Sequence, residues 1–285
     1  MEVYFPAMKT RLFMPVAICL AIVAGILLPA LTPDAGAGAL KPVSIRKNGI
    51  LLKMKSPPLL IDSTTYVPFF DFCKAMGPAA TTPDANLPTV VTPELLITAA
   101  AGDCYITANK RYLYTPVQCK MIGNVLYVPL RPLAKAYGAM LAWSARSNTV
   151  YMLPAFGPIE HGVAFYDDTD IYWMSRIICA EARGECLSGK VAVGNVVMNR
   201  LRSPGFPNSV HGVIFDRRCA VQFTPAYSGA INCTPDPECV IAAMLALDGA
   251  DVVGDSLYFN NARCGSWAAR NRPLVTTIGN HSFFS

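Results

Sequence analysis

The sequence predicts an α+β protein of two domains: a strand-rich first half, then a mainly helical second half ending in a small antiparallel sheet. Three observations carry this expectation. A strand-to-helix pattern occurs twice in the first half, as YVPFFDFCKAMG (66–77) and YVPLRPLAKAYG (127–138). The second half contains apolar stretches of helical period bounded by Asp, Pro and Gly. Its final LYFNN and LVTTIGNHSFF alternate like paired strands. A chain of 285 residues, 53% hydrophobic and 15% charged, can bury one or two real cores and is not disordered.

Residues 1–39 read as a leader. Lys9 and Arg11 precede an uncharged apolar run from Leu12 to Leu31, and small-residue steps at Ala35 to Ala39 follow. Basic flank, apolar middle and small-residue exit are the parts of a secretory signal. The run approaches the length of a spanning helix, so membrane anchoring through residues 12–31 is the alternative; Pro15 and Pro29 interrupt it and favour cleavage. Either way export is expected.

Export makes the cysteines candidates for disulfides. Beyond Cys19 there are nine, an odd number that leaves at least one unpaired; the six in the second half allow 15 pairings that sequence alone does not choose between, and proximity along the chain points to Cys233–Cys239 and Cys104–Cys119. A zinc site is disfavoured, because no C-x-x-C occurs and His161, His211 and His281 are far apart. The net charge of +5 is modest, and no Lys/Arg cluster interleaved with aromatics points to nucleic acid. The positive balance suits an anionic wall polymer as partner.

The first domain is expected over residues 43–153, its prolines placed just after strand-like pieces, where a missing backbone donor does least harm. This stretch resembles the copper amine oxidase N-terminal-like, or stalk, family, which implies a spacer or wall-associating module. Copper or quinone chemistry is not expected, since this half has no histidine. Residues 154–167, punctuated by Gly and Pro, read as a linker.

The second domain, residues 168–285, opens with Asp168 or Asp170 as the cap of a helix through IYWMSRIICAEARGE, stopped by Gly184. A second helix over LSGKVAVGNVVMNRLRS sets Val191, Gly194, Val197 or Met198, and Leu201 on one side. A third, over TPDPECVIAAMLALDG, is opened by Pro and closed by Gly249.

One residue in the first of these helices is out of place. Met174, Ile178 and Glu181 follow at spacings of four and three, so a carboxylate shares an apolar stripe. Burying an ionised carboxylate is costly, so such a group keeps its proton toward neutral pH, which suits a general acid acting on a glycosidic oxygen.

The pieces AEARGE (180–185), GKVAVGNVVMNRLRSPGFP (189–207), GVIF (212–215), QFT (222–224), LYFNN (257–261) and RPLVTTIGNHSF (272–283) resemble, in order, the SleB-type cell wall hydrolases of the spore-cortex-lytic family. The resemblance implies a lysozyme-like fold, cleavage of peptidoglycan glycan strands and Glu181 as catalytic acid. It also implies a lytic transglycosylase route, in which the muramic 6-hydroxyl attacks in place of water; no metal or other cofactor is needed. Candidate substrate contacts are Asn199, Gln222, Tyr258, Asn260, Trp267 and His281. For Asn199 the competing role is pinning a neighbouring loop, and for Trp267 it is half-buried packing. Rival functions are an amidase or endopeptidase using Cys179 or Cys186, and a non-catalytic wall-binding protein.

Overall fold

In the computed structural model, residues 41–84, 87–263 and 265–285 are described. The leader, Cys19 and Cys264 lie outside them.

The two repeats fold alike and pair with each other. Strand Thr64–Pro68 runs directly into helix α1 (Phe69–Met76), and strand Val125–Pro129 into helix α2 (Leu130–Ala136). Each strand is rich in β-branched and aromatic residues, and each ends in an extended proline that serves as helix N-cap. The strands are antiparallel, with Val67 opposite Val128, both fully buried. They form the centre of a five-stranded sheet flanked by Lys41–Pro42, Leu59–Ile61 and Lys120–Ile122. Phe69, Phe72 and Cys73 on α1 and Leu130, Leu133 and Ala134 on α2 follow helical spacing into the same core.

A second five-stranded sheet is an antiparallel meander from Ala80–Thr82 to Arg111–Tyr114. A third, of four strands, includes Ala139–Ser144, Thr149–Pro154 and Ser44–Lys47, the last pair parallel.

Residues 154–167 are built into a joint rather than hung between domains. Helix α3 (Gly162–Phe165) follows His161, and the Gly162 N–H donates to Asn109 O at 2.8 Å. Tyr166 accepts from the Tyr112 N–H at 3.0 Å and donates to Asp248 at 3.0 Å. Tyr105, Tyr112 and Tyr114, all on the first half's meander, pack against the second half's core. All described residues belong to one compact unit.

The second half is organised around three helices: α4 (Asp168–Ala182), α5 (Leu187–Arg202) and α8 (Pro237–Leu247). Gly194 is where they touch, since a Cβ there would lie 2.8 Å from Ala246 Cβ and 3.2 Å from Ile178 Cδ1. Short helices α6 (Val210–Ile214) and α7 (Pro225–Ser228) cover α4. The closing sheet has His281–Phe284 in the middle, with Tyr258–Asn261 and Leu274–Ile278 at its sides and α9 (Trp267–Asn271) between them in sequence.

One expectation about α4 is corrected. Its cap is Asp167, whose carboxylate accepts from the Thr169 and Asp170 N–H groups at 2.8 and 3.2 Å. Asp168 and Asp170 occupy the first turn instead, where negative charge offsets the helix dipole. The helix does end just ahead of Gly184, at Ala182 with Arg183 as its C-cap, although Gly184 itself does not adopt a left-handed conformation. The Glu185 N–H bonds back to Ala182 O at 2.9 Å, and α5 starts from Cys186 almost at once.

The described cysteines are free, so neither Cys233–Cys239 nor Cys104–Cys119 is bridged. The thiol hydrogen-bonded to Cys233 is that of Cys179 on α4. Cys239 lies inside α8, with its N–H given to the Asp236 cap at 2.8 Å. Short separation in sequence thus misidentifies Cys233's neighbour, because the helix start carries Cys239 away. Among the described residues no helix is long and apolar enough to cross a membrane.

Candidate active site

Glu181 sits in the last turn of α4, one residue before the helix ends. Met174 and Ile178, above it on the same stripe, are fully buried, and Glu181 itself is half-buried. Burial drives its pKa up, and the Arg200 guanidinium pulls it partly back, leaving it at about 7. A carboxyl in this range carries a proton it can donate at neutral pH and take back afterwards.

Arg200, on α5, was missed among the candidates read from sequence. Only 3% of it is exposed. Its Nε donates to Leu257 O at 2.7 Å, just ahead of strand Tyr258–Asn261. Its guanidinium lies 5.1 Å from the ring centres of Phe206 and Phe223 and 5.6 Å from that of Tyr258. Nη1 is buried without a hydrogen-bond partner. Burial lowers its pKa to about 10 against the opposing pull of Tyr258, Asp216 and Glu181.

Tyr258 continues this cluster outward. It meets Trp267 edge to face at 5.7 Å, and Arg272 lies over both rings at 5.3 and 5.4 Å. Trp267 is 54% exposed, so it is a surface ring and not a packing residue of the core. Asn260 lies on the same strand face as Tyr258 by alternation.

Other candidates are placed differently. Asn199 directs its amide to Gly254 O at 2.6 Å and Ser256 O at 3.0 Å, holding the loop that leads into the Tyr258 strand. Gln222 donates to Ala220 O at 3.2 Å, and Phe223 beside it is entirely core. His281 pairs with Asn261 and shares the other face of the sheet with Phe259 and Phe283, away from Tyr258 and Asn260. Burial lowers its pKa against the pull of Glu185, which favours a neutral ring.

The remaining acids near the motif are engaged elsewhere. Glu185 accepts from the Asn280 side chain at 2.9 Å and the Asn280 N–H at 3.1 Å, which hold its pKa down. Asp216 is clamped by Arg218 at 2.9 and 3.1 Å. Cys179 is buried; hydrogen bonds from Cys233 and Arg183 outweigh burial and lower its pKa, and none of its recorded partners is a histidine.

Known proteins match both halves. Residues 184–284 match the Cell Wall Hydrolase family, a stretch that begins just past Glu181, and residues 46–152 match the Copper amine oxidase N-terminal domain. The copper of that name finds no donor set here: the matched residues include no histidine, and no group of three or more His, Cys, Asp or Glu among the described residues could hold a metal. A spore cortex-lytic enzyme of Halalkalibacterium halodurans is 42% identical over 121 residues, 42% of this chain and 36% of that protein. One from Bacillus cereus is 40% identical over 119 residues, 41% of this chain and 45% of the relative. The chain therefore spans less than half the length of these relatives. Among solved structures, the catalytic domain of the germination-specific lytic transglycosylase SleB from Bacillus anthracis is 37% identical over 45% of this chain and 100% of that one, with a TM-score of 0.39.

Proposed function

We propose that a chain whose second half matches the Cell Wall Hydrolase family cleaves peptidoglycan, cutting the glycan strand between N-acetylmuramic acid and N-acetylglucosamine as a lytic transglycosylase. The observation that carries this reading is a half-buried Glu181 carboxyl whose pKa stands at about 7. The likeness to spore cortex-lytic enzymes supports spore cortex as the substrate, and with it an exported, spore- or wall-associated protein.

In the proposed reaction the Glu181 proton passes to the glycosidic oxygen as its bond to the muramic anomeric carbon breaks. The muramic 6-hydroxyl then closes on that carbon and returns its proton to Glu181, giving a 1,6-anhydro end without consuming water. A single carboxyl suits this route. Among the described residues, Arg200 is the charge that bears on Glu181, while Glu185 and Asp216 are each committed to other partners. Tyr258, Trp267 and Arg272 supply an aromatic and cationic wall for sugar rings.

Glu181→Gln keeps the side chain's shape and removes its proton chemistry, so the folded variant should release no glycan fragments from purified cortex. Full release by that variant refutes the assignment. Fragment masses from the unmodified protein test the route, because an anhydro end is one water lighter than a reducing end.

A further inference from the structure

Two thiols that the proposed reaction does not use meet inside the helical half. Cys179 lies on α4, and Cys233 directly follows the short turn Ala230–Asn232, which packs on α4. Their contacts cross. Cys179 Sγ is 3.8 Å from the carbonyl oxygen of Thr234, the neighbour of Cys233, while Cys233 Sγ is 3.8 Å from that of Arg176, one turn before Cys179. Each sulfur therefore touches backbone beside the other's residue, and the two thiols share one apolar core and a hydrogen bond.

Arg183 maintains this approach without help from the sulfurs. Its Nη2 donates to Thr234 O at 2.8 Å and its Nε comes within 4.0 Å of the Asp236 carboxylate, so the end of α4 is tied to the segment that carries Cys233. The same guanidinium donates to Cys179 Sγ from Nε at 3.2 Å and from Nη2 at 3.0 Å. Burial opposes ionisation of Cys179, but the hydrogen bonds from Cys233 and Arg183 win and lower its pKa, which favours the nucleophilic thiolate. Cys233 is only partly buried, so an outside reagent can reach it. Cys239, the third thiol nearby, is fully buried; burial and then a hydrogen bond to Asp236 raise its pKa and keep it protonated.

We propose that Cys179 and Cys233 form a disulfide site, closed by a disulfide-bearing oxidant and fastening the Glu181 end of α4 to the chain that enters α8. The Cys233 thiolate attacks the oxidant, breaking its S–S bond, releasing one thiol and leaving a mixed disulfide. The Cys179 thiolate then attacks the Cys233 sulfur and expels the second thiol. Both cysteine protons end on the released thiols, and two electrons pass from the protein to the oxidant. In the exported setting proposed above, oxidants of this class are present. The bond closes a loop of more than fifty residues, which restricts the unfolded chain, and it anchors α4 two residues before Glu181.

The test exposes the reduced full chain to oxidised glutathione, alkylates the remaining thiols and digests the protein without reductant for mass spectrometry. A peptide pair joined through Cys179 and Cys233 is expected. Recovery of both thiols in alkylated form, or of either one joined to Cys239 or any other cysteine, overturns the proposal. The oxidised protein should also melt roughly 5–15 °C above the reduced one. Cys233→Ser, at a partly exposed position, should fold and lose that difference, while Cys219→Ser should keep it. A difference that survives in Cys233→Ser likewise overturns the proposal. Neither readout involves glycan release, so the pairing stands or falls separately from the reaction proposed for Glu181.

Discussion

The Asp248 carboxylate, at the end of α8, accepts two hydrogen bonds from Arg111, 137 residues earlier in the chain, each at 2.9 Å. Lys135 and Tyr166 add bonds to the same carboxylate, which is almost wholly buried. Burial alone would raise its pKa, but the Arg111 and Lys135 contacts win and hold it below the usual carboxylate range. Asp248→Ala strands the buried Arg111, and a loss of about 3 kcal/mol or more is expected in denaturant unfolding. Lys135 is half exposed, so Lys135→Met should cost less than about 1 kcal/mol. Equal losses for the two variants would contradict this ranking.

Gly194→Ala should destabilise the second half despite alanine's better helix propensity. The new methyl would meet Ala246 Cβ at 2.8 Å, a short side chain with no freedom to swing aside. Overpacking of this kind costs roughly 1–3 kcal/mol, against about 1 kcal/mol gained in propensity. Because Ile178, one turn before Glu181, is the next contact, glycan release should fall by more than the loss of folded protein explains.

Glu181 links activity and stability through pH. Its folded pKa is about 7, above the ordinary carboxylate value, so the folded state binds its proton more tightly than the unfolded chain does. Below about pH 4.5 the group is protonated in both states and exerts no penalty. As pH rises toward 7 the native state loses stability, reaching on the order of 3 kcal/mol above it. Glu181→Gln should therefore unfold at higher temperature than wild type at pH 8 and nearly match it at pH 4. Glycan release by the wild-type protein should decline above pH 7 as the acid form is depleted. A variant no more stable at pH 8 than at pH 4, relative to wild type, would count against the buried acid.

Gly279→Ala should be more damaging than its place in a surface hairpin suggests. Gly279 has φ +58, and a Cβ there would come within 1.8 Å of a Glu185 carboxylate oxygen. The left-handed conformation alone costs a non-glycine residue roughly 1–2 kcal/mol. The clash would also dislodge Asn280 from Glu185, so the melting temperature should drop and amide exchange quicken across strand His281–Phe284.

Alkylation under native conditions should label the exposed Cys186 and Cys219 first and leave glycan release intact. Inactivation in step with labelling would revive a thiol nucleophile.

Much of this was legible in the sequence because local pattern and tertiary role agree. The stripe through Met174 and Ile178 singled out Glu181, and the repeated Tyr-Val-Pro segments announced two units that prove to pair at Val67 and Val128. The same helical reading applied to α5 would have found Arg200 one turn after the buried Val196 and Val197. It escaped because a basic residue in a last turn already has an ordinary explanation in the helix dipole. Asn199's grip on Gly254 and Ser256, like Cys179's approach to Cys233, spans more than fifty residues, and no local spacing encodes it. Residues 154–167 looked like a tether because Gly and Pro punctuation marks irregular backbone equally well in a loose strap and in a clamped one.

The clamp at Asp248 makes the placing of Glu181 relative to the first domain a property of the fold. With α3 and Tyr166 wedged against the helical half, there is little slack for that half to swing on the first. On the function proposed above, a surface that held the first domain would thereby also set the height at which Glu181 meets a glycan strand.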